Sequence, residues 1–485
     1  MPPLLILPTE MLQKIIDHVN PEHLVNFSAC CKKVYGAAER CLGKHRERIE
    51  TYSELRYSDC FSNKVDYNPV SLLREICLDG HIAFYPRSLK ITRCECRPDD
   101  FDSDRLWWDP DLRVQHLDDE IVEFQEVFDE IKTPIDQKLS TTVCYNDTNN
   151  DIWRQKLTRG TREAFLCLLL LLLPNLEQIE LTHFSLKDEV LGDMLDLIAR
   201  ESRDPDVSSN SVALTKLSSL LIKGPRPYGS GCCQMLAPFA ALPSVRILTA
   251  EWIFDDRRSY AGENELTWPY GQHISNLTVL NLDSSCLNAA SFSRLLGGIK
   301  GLKSFTYNVH TLVSTCGSWK DVPSIIGMLV EHTKSTLESV AFTGFGMRCL
   351  NDEHGCGSFK DFEMLKHIRM HFGLRVRLSH YVVNKELGGW YRDTECSLDG
   401  HDGIEHLVDL LPASVRSVEF DGEIDTADMS WLLKDLLQRK EKSAPHLKSI
   451  KFRKACSEPG WGDLLPARAD ALREKCRIMG VKLIL

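Results

Sequence analysis

Two pairs in this 485-residue chain have the close spacing that metal ligands use, Cys94-x-Cys96 and His354-x-Cys356. A structural zinc takes four ligands, and neither pair is followed by a second at a suitable interval. No metal or other cofactor is therefore expected. The eighteen cysteines, scattered and without a CxxC pair, are read as reduced thiols packed like small hydrophobes. Gly344-x-Gly346 lacks the third glycine of a dinucleotide loop, and the phosphate-loop, nucleophile-elbow, zinc-protease and kinase motifs are absent. Without a local signature, scattered His, Ser and Asp cannot be assembled into a catalytic set. The sequence predicts a binding protein rather than an enzyme.

The bulk numbers agree with a folded, water-facing chain: 43% of residues are hydrophobic and 26% charged. A net charge of -11 disfavours nucleic acid and anionic membranes as general partners, because both are held by positive charge. The opening MPPLLILP has no basic n-region and only a short apolar run, so no signal peptide is expected. The apolar run Ala164–Leu173 ends at Pro174 and is about half a bilayer span, which predicts a buried helix and no membrane anchor. The expected location is the cytoplasm, the nucleus or both.

Residues 7–42 carry three helical signals. Pro8 suits a first helical turn and Glu10 complements the positive end of the helix dipole. Met11, Leu12, Ile15, Ile16 and Val19 then recur at helical spacing. Asn20-Pro21 opens a second helix presenting Leu24, Val25 and Phe27, and a third places Cys31, Val34, Tyr35 and Ala38 on one face. So small a unit buries too little to stand alone. Its apolar entrance, Leu4 to Leu7, has the look of an interaction surface.

The opening Leu7-Pro8-x-Glu10-Met11, with Ile15, Leu24-x-x-Phe27-Ser28 and Cys31-Lys32, resembles the F-box motif. The resemblance implies binding to a small Skp-type adaptor and, through it, a cullin scaffold of a ubiquitin ligase. It carries over Leu7, Pro8, Glu10, Met11, Ile15, Leu24, Phe27, Cys31 and Lys32 as adaptor contacts or their support. The sequence departs from the motif at Met11, at Lys32 and in having Tyr35 near the place of a common Trp. A non-catalytic scaffold whose F-box acts outside any ligase shares these residues and is the alternative reading.

From residue 174 a second signature recurs nine times, a leucine or valine followed three and five residues later by apolar positions. It runs from Leu176-Ile179-Leu181 to Leu447-Ile450-Phe452, with starts 25 to 50 residues apart and helical patterns between. Strand alternating with helix predicts an α/β fold with parallel strands stacked as a solenoid, the concave sheet roughly 40 Å long. This resembles an irregular leucine-rich repeat, except that the place of its laddering Asn or Cys holds Phe184, Ser285, Phe345 and Glu423. The architecture, an F-box ahead of irregular repeats, is similar to that of many proteins of filamentous fungi.

The predicted organisation is an F-box over 1–45, a connecting region over 46–165 and the array over 166–485. The connecting region contains a candidate first strand at Ser88–Ile91 and a candidate helix at Asp118–Ile131 among acidic residues. Strand periodicity puts Glu180, Lys223, Glu251, Asp283, Asn308, Arg369, His371, Glu419, Asp421, Lys451 and Arg453 on the concave face, where they are candidate contacts to a protein target. Two aromatic insertions, Trp252–Tyr270 and Phe372–Gly403 with His380, Tyr381, Trp390 and Tyr391, are candidate anchors.

Overall fold

The computed structural model describes residues 6–58, 69–92, 162–182, 189–203, 213–224, 231–254, 266–285, 287–308, 322–343, 358–371, 381–384, 389–392, 407–421, 433, 439–453 and 465–485. The chain divides into two compact units, one of residues 1–225 with 241–245 and one of 226–240 with 246–485.

The first unit opens with three helices, α1 (Thr9–Asp17), α2 (Pro21–Ser28) and α3 (Lys32–Tyr52). Pro8 stands just ahead of α1 rather than in its first turn: its ψ of 152° is extended, and its carbonyl accepts from the Met11 and Leu12 N–H groups. Asn20 caps α2 by accepting from the Glu22 N–H at 3.1 Å, with Pro21 in the first turn where no N–H is needed. The helices share a core of Leu12, Ile16, Leu24, Val34, Ala37, Ala38 and Leu42. On α3 the buried stripe runs through Val34, Ala38 and Leu42, which leaves Tyr35 exposed instead of inward.

Four parallel strands follow in chain order: β1 (Glu54–Ser58), β2 (Ser88–Thr92), β3 (Gln178–Thr182) and β4 (Ser219–Lys223). Helices α4 (Pro69–Leu78), α5 (Arg162–Leu172) and α6 (Glu189–Glu201) lie between them in sequence. The run Ala164–Leu173 is helical as expected up to Leu172, most of its leucines buried. Among the described residues no helix is long and apolar enough to cross a membrane. Strand pairing thus begins directly after α3: the candidate first strand at Ser88–Ile91 is β2, and β1 precedes it without having been read from the sequence. The reason is local: the place of the signature leucine is held by Tyr52 before β1 and by Pro86 before β2. The candidate helix at Asp118–Ile131 and the surrounding acidic segment lie outside the described residues.

In the second unit, eight strands pair in parallel and in chain order: β6 (Ile247–Glu251), β8 (Val279–Asp283), β9 (Ser304–Asn308), β10 (Ser339–Thr343), β11 (His367–His371), β14 (Ser417–Asp421), β15 (Ser449–Phe452) and β16 (Lys482–Ile484). Two small sheets stand apart from this ladder, β5 (Gly231–Cys232) with β7 (Ile253–Phe254), and β12 (Tyr381–Asn384) with β13 (Gly389–Arg392). The described helices between strands include α7 (Ala289–Gly298) and α8 (Val322–Thr333), and α9 (Leu465–Ile478) precedes β16.

All nine sequence signatures fall on strands, from β3 to β15. Along β4, β6, β8, β9, β11 and β14 the second and fourth residues are buried and the others more open, the period of two that a pleated strand dictates. Register then stacks like on like. Leu248, Leu280, Phe305, Val340, Ile368, Val418, Ile450 and Leu483 form one continuous buried row. Aromatics dominate its middle: Phe305 packs against Phe292, Tyr307 and Phe342, and Phe420 stacks on Phe452 at 5.2 Å.

Of the four residues at the usual laddering place, Ser285 is described, and it does laddering work. It is fully buried, donates to the Ala250 carbonyl at 3.1 Å and accepts from the Ile253 N–H at 3.1 Å, joining two successive turns. A hydroxyl can do this because one side chain both donates and accepts. Phe184, Phe345 and Glu423 lie outside the described residues.

Candidate interaction surfaces

At the entrance to α1, Ile6 is 73% exposed, Pro8 is open and Met11 is 49% exposed. Leu7 is half-buried against the helical core, and its carbonyl accepts from the Lys33 ammonium at 2.8 Å. That bond ties the entrance to the start of α3 and fixes where Pro8 stands. Glu10 and Lys32 are exposed, and Ile15, Phe27 and Cys31 are half-buried. Leu24 is 6% exposed, so of the carried-over residues it supports the surface from within and does not form it. Val25 and Tyr35, each 54% exposed, add large apolar area that the motif does not single out.

The helical module is also tied to residues that lead into the first strands. The Glu22 carboxylate takes the Lys216 ammonium and lies 3.6 Å from the Arg87 guanidinium. The hydrogen bond from Lys216 holds the Glu22 carboxyl below its ordinary range. Lys216 also donates to the Asn175 side chain, which in turn donates to the Phe84 carbonyl at 2.7 Å. Farther along α3, Arg48 pairs with Asp79, Tyr52 donates to Glu75 at 2.7 Å, and His45 Nδ1 meets the Tyr85 hydroxyl at 3.0 Å. Burial keeps the His45 imidazole below its usual range and pushes the Tyr85 phenol up. Glu22 and Lys216 are 194 residues apart, and no local pattern announces such a pair.

On the strand faces, period-two spacing places the eleven candidate target residues at open positions, none of them buried. Many of them already have partners. Lys90 binds Glu180 at 2.7 Å, and Asn308 donates to Asp283 at 2.9 Å. Arg369 lies 2.6 Å from Asp421 and 3.4 Å from Glu419, Arg453 pairs with Glu419, and Lys451 is 3.9 Å from Glu419. The cross-strand register explains this, since it sets Arg369, Glu419 and Lys451 directly side by side. The alternation of sign seen along the sequence is thus largely satisfied within the sheet. Lys223, Glu251 and His371 stand half-buried at the last positions of β4, β6 and β11.

The first aromatic insertion is a strap rather than an open anchor where it is described. Trp252 and Tyr270 are each 8% exposed. Trp268 lies flat against Gly298, where an added Cβ would sit 2.1 Å from the indole, and its ring N–H donates to the Gly271 carbonyl at 2.6 Å. Tyr260 lies outside the described residues, as do His380, Cys94, Cys96, His354 and Cys356. Among the described residues no three His, Cys, Asp or Glu side chains gather as a metal site would require.

Residues 4–45 match the F-box domain, spanning the entrance and all but the last turns of α3. No curated protein matches the chain. The protein therefore carries an F-box domain at its N-terminal side, and F-box domains generally bind Skp-type adaptors.

Proposed function

We propose that this protein is a substrate receptor of a Skp-cullin-F-box ubiquitin ligase. The F-box takes the Skp-type adaptor, and the strands, read as an irregular leucine-rich-repeat-like solenoid, take a protein target. The reading assigns the chain no chemistry of its own, since ubiquitin transfer falls to the enzyme recruited by the scaffold. It places the protein in the cytoplasm or nucleus, and the fungal-type assignment rests on the architecture alone. The observation that supports it best is the open Pro8–Met11 entrance with Ile6 beside it. A helical cap made only to cover the array would turn those apolar residues inward.

Pro8→Ala combined with Met11→Glu is the cleanest test, because neither residue belongs to the module's core. The doubly substituted chain should remain folded and lose the adaptor on copurification. Retention of the adaptor at the wild-type level would sink the assignment. Leu7→Ala is less informative, since Leu7 also packs on that core.

A further inference from the structure

A row of cations runs along the rim of the second unit where its later strands begin. Lys366, Arg416 and Lys448 each stand one residue before β11, β14 and β15, and Lys482 is the first residue of β16. They occupy successive rungs. The Arg416 N–H donates to the Lys366 carbonyl, the Lys448 N–H to the Arg416 carbonyl and the Lys482 N–H to the Lys448 carbonyl, at 2.7 to 2.8 Å. Strand spacing of about 4.8 Å makes the row about 14 Å long.

Lys366 is neutralised by Glu338. Arg416, Lys448 and Lys482 are exposed, and their side chains have no ion-pair or hydrogen-bond partner among the described residues. His446 is exposed on the turn leading to β15, and Lys442 is exposed in the helical segment 439–443 before it, with Glu441 as its neighbour. Like charges on neighbouring rungs repel, and among the described residues no carboxylate pairs with Arg416, Lys448 or Lys482 to relieve this. The contrast with the strand face is sharp, because a few residues along the same strands Arg369, Glu419, Asp421 and Arg453 neutralise each other.

We infer that this rim binds an acidic, extended protein segment. A peptide in extended form rises about 3.3 Å per residue, so four or five residues bearing carboxylates or phosphates on alternate positions would cover the row. A nucleic acid fits less well. Three free cations neutralise few phosphates, the chain as a whole carries -11, and no large aromatic side chain is exposed for base stacking among the described residues of this unit. The same net charge opposes a membrane of anionic lipid. The inference concerns a surface apart from the F-box and stands whether or not the adaptor binds.

The test uses the full chain and a fluorescein-labelled decapeptide of alternating Glu and Ser, read by fluorescence anisotropy. The peptide should bind and a Gln-for-Glu counterpart should bind about tenfold more weakly or worse. Arg416→Gln/Lys448→Gln/Lys482→Gln, checked for an unchanged melting temperature, should lose about tenfold. Arg40→Gln/Lys44→Gln, which removes exposed cations of α3, should lose nothing. Raising salt from about 50 to about 500 mM should weaken the wild-type complex, because exposed charges are screened within a few ångströms at the higher value. Absence of saturable binding by the wild type, equal binding by the rim variant, or insensitivity to salt would each overturn the proposal. So would tighter binding of a decauridylate or of phosphatidylserine vesicles that the rim variant also loses.

Discussion

The helical module and the strand ladder of the second unit solve the same problem in opposite ways. Both are built from short elements that cannot bury their own apolar surface. In the ladder each strand hands that surface to the next, and the row from Leu248 to Leu483 is closed to water. In the module a compact core is completed by Leu12, Ile16, Val34 and Ala38, yet Ile6, Met11, Val25 and Tyr35 remain outside it. Open apolar residues beside a finished core are not needed to close it, and on the proposed function they are the surface offered to the adaptor.

Stability measurements can break that distinction. Phe305→Ala removes a fully buried ring that touches Phe292, Tyr307 and Phe342, and should cost about 3 to 5 kcal/mol in chemical denaturation. Met11→Ala should stay within about 0.5 kcal/mol while weakening adaptor capture. If Met11→Ala destabilised the chain as much as Phe305→Ala, the module would be using that side chain for its own fold.

The strap offers a second, smaller contrast. Alanine normally suits a helix better than glycine by about 1 kcal/mol. At Gly298 the order should reverse, because the new methyl would meet the Trp268 ring at 2.1 Å and drive it from its bond to the Gly271 carbonyl. A loss of about 1 to 3 kcal/mol is expected, with a change in tryptophan fluorescence. Adding Trp268→Ala should return part of it in a double-mutant cycle. Additive effects would show that the two residues do not meet.

Sequence periodicity went far in the ladder and less far at its ends. Nine strands were legible because each repeats an apolar triplet at fixed spacing, and β16 escaped because Gly480 stands where the signature leucine would be. Which residues face outward followed from the same period. Which of them are already paired did not, since the partners of Arg369 lie 50 and 52 residues away and are brought together only by register. The F-box was legible for a different reason: its residues stand close together in sequence, within 4–45, so a short motif carries it. A double-mutant cycle on Arg369→Ala and Asp421→Ala should give a coupling of about 0.2 to 1 kcal/mol, as for other half-open pairs. Zero coupling would return Arg369 to the pool of free target contacts.

The smallest expected effect concerns the bracket between module and first strands. Lys216 holds the Glu22 carboxyl below its ordinary range in the folded chain, so the unfolded chain takes up its proton first as pH falls. The bracket therefore stabilises fully above the ordinary carboxylate pKa and is lost as pH drops through the folded value. With the Glu22 side chain 26% exposed, the contribution should be below about 1 kcal/mol. His45 acts at higher pH with the same sign: burial keeps it neutral when folded, so stability begins to fall once pH passes below its ordinary value of 6.5. That loss is shared by wild type and Glu22→Gln and cancels between them. The difference in urea midpoint between the two proteins should accordingly hold steady from pH 7 through the imidazole range and shrink in the carboxylate range. A difference that persisted unchanged at low pH would mean that Glu22 holds the module by packing or neutral hydrogen bonding rather than by charge.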